Sequence, residues 1–182
     1  MTPIYITQAV LLELILLPTI AIVRFYRRKK RSTKTSVPRE VGILLFSAYI
    51  IGVLSLTVIP ELEFSEHGIG IYRPMVNGSR TGGINLIPVV GIVEGLSNGR
   101  YVLIIGNALL LTPLPFFLNL LYRVSTAKML IIGVLASVSI EIIQLPLSRG
   151  TDIDDVLLNS LGVLVGLALL HVVKRFKKSG GE

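Results

Sequence analysis

Three aspartates, Asp152, Asp154 and Asp155, fall within four residues, and Asn159 follows one helical turn after the last of them. Carboxylate oxygens grouped in this way suit a divalent cation, because hard ions take oxygen ligands. Arg149 stands three residues upstream, and a guanidinium beside such a group can hold a phosphate through two parallel hydrogen bonds. Glu141 and Gln144 precede it, three residues apart and therefore on one face of a helix. Glu141 is about 12 Å from Arg149 along a helix that rises 1.5 Å per residue. Asn107 supplies a further amide inside another apolar stretch. Together these side chains outline a pocket for a phosphorylated lipid headgroup, with a divalent cation at Asp152, Asp154 and Asp155 as one form of it.

A plainer reading accounts for part of the group equally well. Thr151 or Asp152 is a good N-cap, and Asp154 and Asp155 would then occupy the first helical turn, where carboxylates satisfy free N–H groups and favour the positive end of the helix dipole. Capping does not account for Glu141, Gln144, Asn107 and Asn159, which lie within apolar runs. A polar group in lipid must find a partner. An ionised Glu141 would cost about 2.5–3.5 kcal/mol at mid-bilayer, and less near the surface. Arg149, Gln144 or Asn107 could offset that across a bundle; protonation is the alternative.

The elements that must position these residues are membrane helices. Of the 182 residues, 52% are hydrophobic and only 16% charged, with a mean hydropathy of +0.75. A water-soluble domain carries nearer a quarter charged residues. Roughly 20 mostly apolar residues cross the hydrocarbon core, and about five stretches qualify: 4–23, 41–59, 101–122, 129–147 and 156–173. The expected fold is therefore an all-α, polytopic transmembrane helix bundle. The first stretch is not a cleavable signal, because its positive charges follow the apolar run instead of preceding it.

Charge sets the expected orientation. Residues 24–39 hold eight Lys and Arg, Arg123 and Lys128 add two after the third span, and Lys174, Arg175, Lys177 and Lys178 close the chain. Only Arg73, Arg80, Arg100 and Arg149 of the 18 fall in the alternate loops. The positive-inside rule then puts the amino terminus outside and the carboxyl terminus inside. The net charge of +7 is thus a topology signal that also touches anionic headgroups, and no nucleic-acid partner is expected. With that orientation every polar group named above lies at the outer leaflet. The chain has no cysteine and two distant histidines, His67 and His171, so thiolate chemistry is excluded and a histidine metal site is not expected.

The segment 60–100 is external on this topology, rich in Gly, Pro, Asn and Ser, and longer than an ordinary connection. Within it, 84–89 is apolar enough to lie in the interface or re-enter the bundle. Pro113 and Pro115 should kink or unwind the third span and free backbone groups near Thr112. Gly162 and Gly166 form a small-xxx-small pair that favours close helix packing. Glu13 reads as a hydrogen-bonded packing residue in the first span, Pro18 as a kink, and His171 as an interface residue.

The series Glu141, Gln144, Arg149, Asp152-Ile153-Asp154-Asp155, Asn159, Gly162 and Gly166, with Asn85-Leu86-Ile87-Pro88 and Gly106-Asn107 upstream, resembles the VanZ-like family over about 85–173. Helix three departs from the family pattern at Leu111 and Pro115, and the first two spans carry no motif of it. The resemblance adds Asn85 to the candidate ligand contacts. The expected division of the chain is an amino-terminal helix with its basic loop, 1–40, and a four-helix VanZ-like membrane domain, 41–182, with the external loop 60–100. The resemblance implies a bacterial cell-membrane protein associated with resistance to teicoplanin and related glycopeptides, whose partners are membrane lipids or a lipid-linked cell-wall precursor. It brings no established reaction. If the chain is an enzyme, Glu141 is the candidate acid or base; a non-catalytic scaffold or accessory subunit, its polar cluster only locking the bundle, is the alternative. A transporter fits poorly, because the cytoplasmic halves of the spans lack polar residues.

Overall fold

The computed structural model describes residues 2–31, 35–60, 62–65, 68–71, 84–145 and 151–179. Five of its helices are long and apolar enough to cross a membrane: Thr7–Lys30, Val37–Thr57, Tyr101–Tyr122, Thr126–Gln144 and Ile153–Phe176. They correspond to the five expected spans, with ends shifted by a few residues where polar caps and basic flanks continue the helices. The chain forms two compact units, Met1–Arg73 and Pro74–Glu182.

In the first unit, α1 (Thr2–Arg31) packs against α2 (Val37–Thr57). Their junction is closed by charge. Arg24 donates through Nε to Glu40 Oε2 at 2.9 Å and through Nη2 to Oε1 at 3.0 Å. The Thr35 hydroxyl donates to Oε1 at 2.8 Å. A guanidinium fork matched to a carboxylate fixes both distance and rotation, so α2 leaves the turn at a defined angle. Pro38, in the first turn of α2, loses no helical hydrogen bond there. At the far end Gln8 donates to the Pro60 carbonyl at 3.1 Å. Glu13 rests over Gly52, where a Cβ would sit 3.6 Å from its Oε1. Beyond α2, β1 (Leu62–Ser65) and β2 (Gly68–Ile71) form an antiparallel hairpin with Leu62 opposite Ile71.

The second unit is arranged around its last helix. In chain order it contains β3 (Ile84–Asn85), α3 (Val90–Ser97), α4 (Tyr101–Leu110), α5 (Leu114–Tyr122), α6 (Thr126–Gln144), β4 (Thr151–Asp152) and α7 (Ile153–Ser179). Helix α7 packs against α4, α5 and α6. The third span is interrupted between α4 and α5 at residues 111–113, where Pro113 and Pro115 remove N–H donors, as their positions lead one to expect. The interruption leaves the Thr112 carbonyl to face α7 at Gly166, while Gly162 meets the Ala108 carbonyl one turn away. A Cβ at either glycine would collide with those backbone oxygens. In lipid, helices associate through such close van der Waals packing, because the hydrophobic effect does not separate protein from acyl chain. Helix α6 approaches from another side, where Ser137 donates to the Val156 carbonyl at 3.3 Å.

The segment 84–97 has more structure than its loop-like composition suggests. Strand β3 runs parallel to β4, pairing Ile84 with Thr151 and Asn85 with Asp152, and α3 follows. Its apolar side chains Ile84, Leu86, Ile87 and Val89 are exposed on the surface of the unit, while its polar groups turn inward to the start of α7.

Candidate functional site

Each polar residue of the second unit reaches the beginning of α7 from a different element. Asp152 ends β4 and caps α7: its Oδ1 accepts the Asp154 N–H at 3.0 Å, the bond that orphan donors at a helix start require. The same Oδ1 accepts the Asn85 amide of β3 at 3.2 Å. Asn85 uses its own Oδ1 to accept the Ile87 N–H at 3.1 Å, a local turn that orients its amide towards Asp152. On the α6 side, Glu141 Oε1 accepts the Asp152 N–H at 2.7 Å. From α4, Asn107 Nδ2 donates to Asp155 Oδ1 at 2.5 Å.

Asp154 does not cap its own helix. Its Oδ1 accepts the Val89 N–H at 2.5 Å and its Oδ2 accepts the Ile92 N–H at 2.9 Å, so one carboxylate caps α3 from more than 60 residues away. Val89 holds φ 72°, a left-handed conformation that a β-branched side chain enters only under strain. Such strain, on the order of 1–3 kcal/mol, persists where the surroundings over-determine it. Here the buried carboxylate of Asp154, 2% exposed, does so. Gly91 completes the contact, because a Cβ there would overlap the Asp152 carboxylate and sit 3.2 Å from Asp154 Oδ2.

The structure thus brings Asn85, Asn107, Glu141, Asp152, Asp154 and Asp155 together at one end of the helices. Asn159 lies one turn further along α7, 2% exposed. Gln144 follows Glu141 by one turn on α6 and is half-buried. Arg149 lies outside the described residues. Among the described residues, three buried polar atoms in this region have no hydrogen-bond partner: Glu141 Oε2, Asn159 Oδ1 and Thr151 Oγ1. Glu141 is 5% exposed, and Asp152 and Asp155 lie within electrostatic reach of it.

The expectation of a divalent cation on the three aspartates is corrected by their geometry. Among the described residues no group of three acidic or histidine side chains is placed to hold a metal ion. Asp154 turns to the amides of α3, Asp155 to Asn107, and Asp152 to Asn85 and its own helix. Adjacent helical positions diverge by roughly 100°, which separates carboxylates that stand side by side in sequence.

A family model described as VanZ/LLP1 matches residues 43–174. The chain belongs to the VanZ/LLP1 family. No curated protein and no solved structure matches it. With five helices of spanning length, this VanZ/LLP1 protein is a multi-pass membrane protein. The match begins within α2, well before Asn85, so the family relation extends over a helix in which no motif is legible. It includes every member of the polar cluster.

Several residues that shape the VanZ/LLP1 cluster escape inspection of the sequence. Val89, Gly91 and Ile92 contribute backbone, not side chains, and Thr151 reads only as a cap. The sole local signal is Pro88, which marks a turn just before the strained residue. Nothing in the sequence links those amides to Asp154.

Proposed function

We propose that this VanZ/LLP1 protein resides in the cell membrane of a bacterium, binds or modifies a surface lipid or lipid-linked cell-wall precursor at an outer-leaflet polar site, and so lowers susceptibility to glycopeptide antibiotics such as teicoplanin. The observation that carries this reading is Glu141: a carboxylate deep in a helix junction, with one oxygen anchored and the other unpartnered. Leaving a buried polar group unsatisfied costs about 1–3 kcal/mol, an expense that a ligand would relieve. In this reading Arg149 holds the phosphate of the headgroup, and Asn85, Asn107, Gln144, Asp152, Asp154, Asp155 and Asn159 shape and line the site. A chemical step, if there is one, uses Glu141 as acid or base.

A susceptibility panel tests the proposal. Cells expressing wild type, Glu141→Gln or Arg149→Ala are challenged with glycopeptides, and membrane abundance is measured in parallel. Loss of protection at unchanged abundance supports the site. Full protection by both variants removes it.

One observation favours a second reading, a scaffold whose polar cluster only locks the bundle: Asp154 and Asp152 are engaged with backbone amides at helix starts. Under that reading Asp155→Asn and Asn159→Ala lower abundance and protection in proportion.

A further inference from the structure

Helix α3 is inside out by the standard of a protein in water, where a surface helix buries its apolar stripe and exposes its polar residues. Its packed face consists of two glycines one turn apart. Gly91 lies against the Asp152 and Asp154 carboxylates, and Gly95 against Ile104 of α4. Its outward face carries Val90, Val93 and Leu96, all exposed. Glu94 stands at the edge of that face, about 100° from Val93. Small residues inward and larger apolar residues outward characterise helices that pack within lipid.

The first amides of α3 are closed in the same manner. Val89 and Ile92 donate to the buried Asp154 carboxylate, although donors at the start of a surface helix can use water. In hydrocarbon no water is at hand, and protein must satisfy each of them. The other end of α3 is polar: Asn98, Gly99 and Arg100 form an exposed turn into α4. Directly beyond it, Val102, Leu103 and Ile105 expose an apolar side of the third span. The contacts of α3 and α4 run in antiparallel order. Gly95 meets Ile104 near the turn, while Gly91 and Asn107, farther from it, meet the adjoining Asp154 and Asp155 of α7. The eight residues of α3 span about 12 Å, and the stretch from Tyr101 to Asn107 about 9 Å, at 1.5 Å per residue.

We propose that residues 84–97 are a re-entrant segment embedded in one leaflet, with the Val90, Val93 and Leu96 face of α3 against lipid acyl chains. The apolar surface of α3 thus continues that of the spanning helix it packs against. The turn 98–100 lies at the headgroups, and the carboxylates at the start of α7 lie about 9–12 Å beneath it. This placement holds whether the cluster binds a ligand or only locks the bundle.

The test uses the full-length chain, which has no cysteine, in vesicles of phosphatidylethanolamine and phosphatidylglycerol. A nitroxide is attached to Val93→Cys or Leu96→Cys, with Val102→Cys on the spanning helix and Asn98→Cys in the polar turn as references. Electron paramagnetic resonance reads collisions with oxygen, which concentrates in hydrocarbon, and with a water-soluble nickel chelate. Both α3 labels should match the oxygen-rich, nickel-poor behaviour of Val102→Cys, and Val93→Cys should read about 4 Å deeper than Leu96→Cys. Nickel collisions as frequent as at Asn98→Cys would put α3 in water. Equal depths for the two α3 labels would lay the helix flat on the surface, and shielding from both reagents would mean that protein covers the face. Each of these outcomes overturns the proposal. Val93 and Leu96 are both exposed, so the labels displace no packed neighbour and the two positions report independently.

Discussion

Glu141 on α6 accepts the backbone N–H of Asp152, at the start of α7, at 2.7 Å. One oxygen of the carboxylate thus ties two helices together, and the other has no partner. Structural and chemical roles of this side chain are separable for that reason.

A glutamine at position 141 keeps an acceptor for the Asp152 N–H but no charge. Glu141→Gln should unfold within a few degrees of wild type in detergent, whereas Glu141→Ala leaves a buried donor unpaired and costs about 1–3 kcal/mol. Thermal unfolding of both variants checks this. Equal and large losses in the two would show that the charge itself holds the helices.

Asp154 governs α3 more than α7. Asp154→Ala removes acceptors from the Val89 and Ile92 amides and should cost roughly 1–3 kcal/mol, with faster hydrogen exchange concentrated at 89–93. Val89→Gly relieves the left-handed strain at φ 72° and should recover part of that loss. Exchange that rises instead across α7 would place the cap on its own helix.

Glycines on α4 and α7 should respond oppositely. A Cβ at Gly166 meets the Thr112 carbonyl, while Gly106 has open space around it. Gly166→Ala should lower the unfolding temperature and the yield of folded protein. Gly106→Ala should be neutral or gain up to about 1 kcal/mol, the ordinary helix-interior difference. A neutral Gly166→Ala would mean that α7 can move off the α4–α5 break at little cost.

The orientation proposed from the basic loops is open to a direct check, because the chain contains no cysteine. Ser97 and Ser125 are both exposed and lie at opposite ends of the third span. A membrane-impermeant maleimide added to intact cells should label Ser97→Cys, and should label Ser125→Cys only after permeabilisation. The reverse pattern inverts the topology and moves the polar cluster to the cytoplasmic face.

The sequence alone determines the five spans, a kink or break at Pro113 and Pro115, a cap at Thr151 or Asp152, and the family. These are local properties. A span is the summed transfer preference of roughly 20 consecutive residues, a proline acts on its own turn, and a cap reaches only two or three residues ahead. The close approach of Gly162 and Gly166 is legible as spacing, but not the carbonyls of Ala108 and Thr112 that they meet.

Tertiary structure decides how the carboxylates are used. Asp154 looks like a first-turn residue of α7, yet its partners are amides 62 and 65 residues away. Asp155 goes to Asn107 and Glu141 to the Asp152 amide, so each of the three aspartates that read as a cation trio has its own partners. The physical reason is that the partners are backbone N–H groups and two side-chain amides on separate elements. A backbone donor has the same chemistry in every residue except proline, so it leaves no mark in the sequence, and only packing of β3, α3, α4 and α6 around the start of α7 selects which ones are presented.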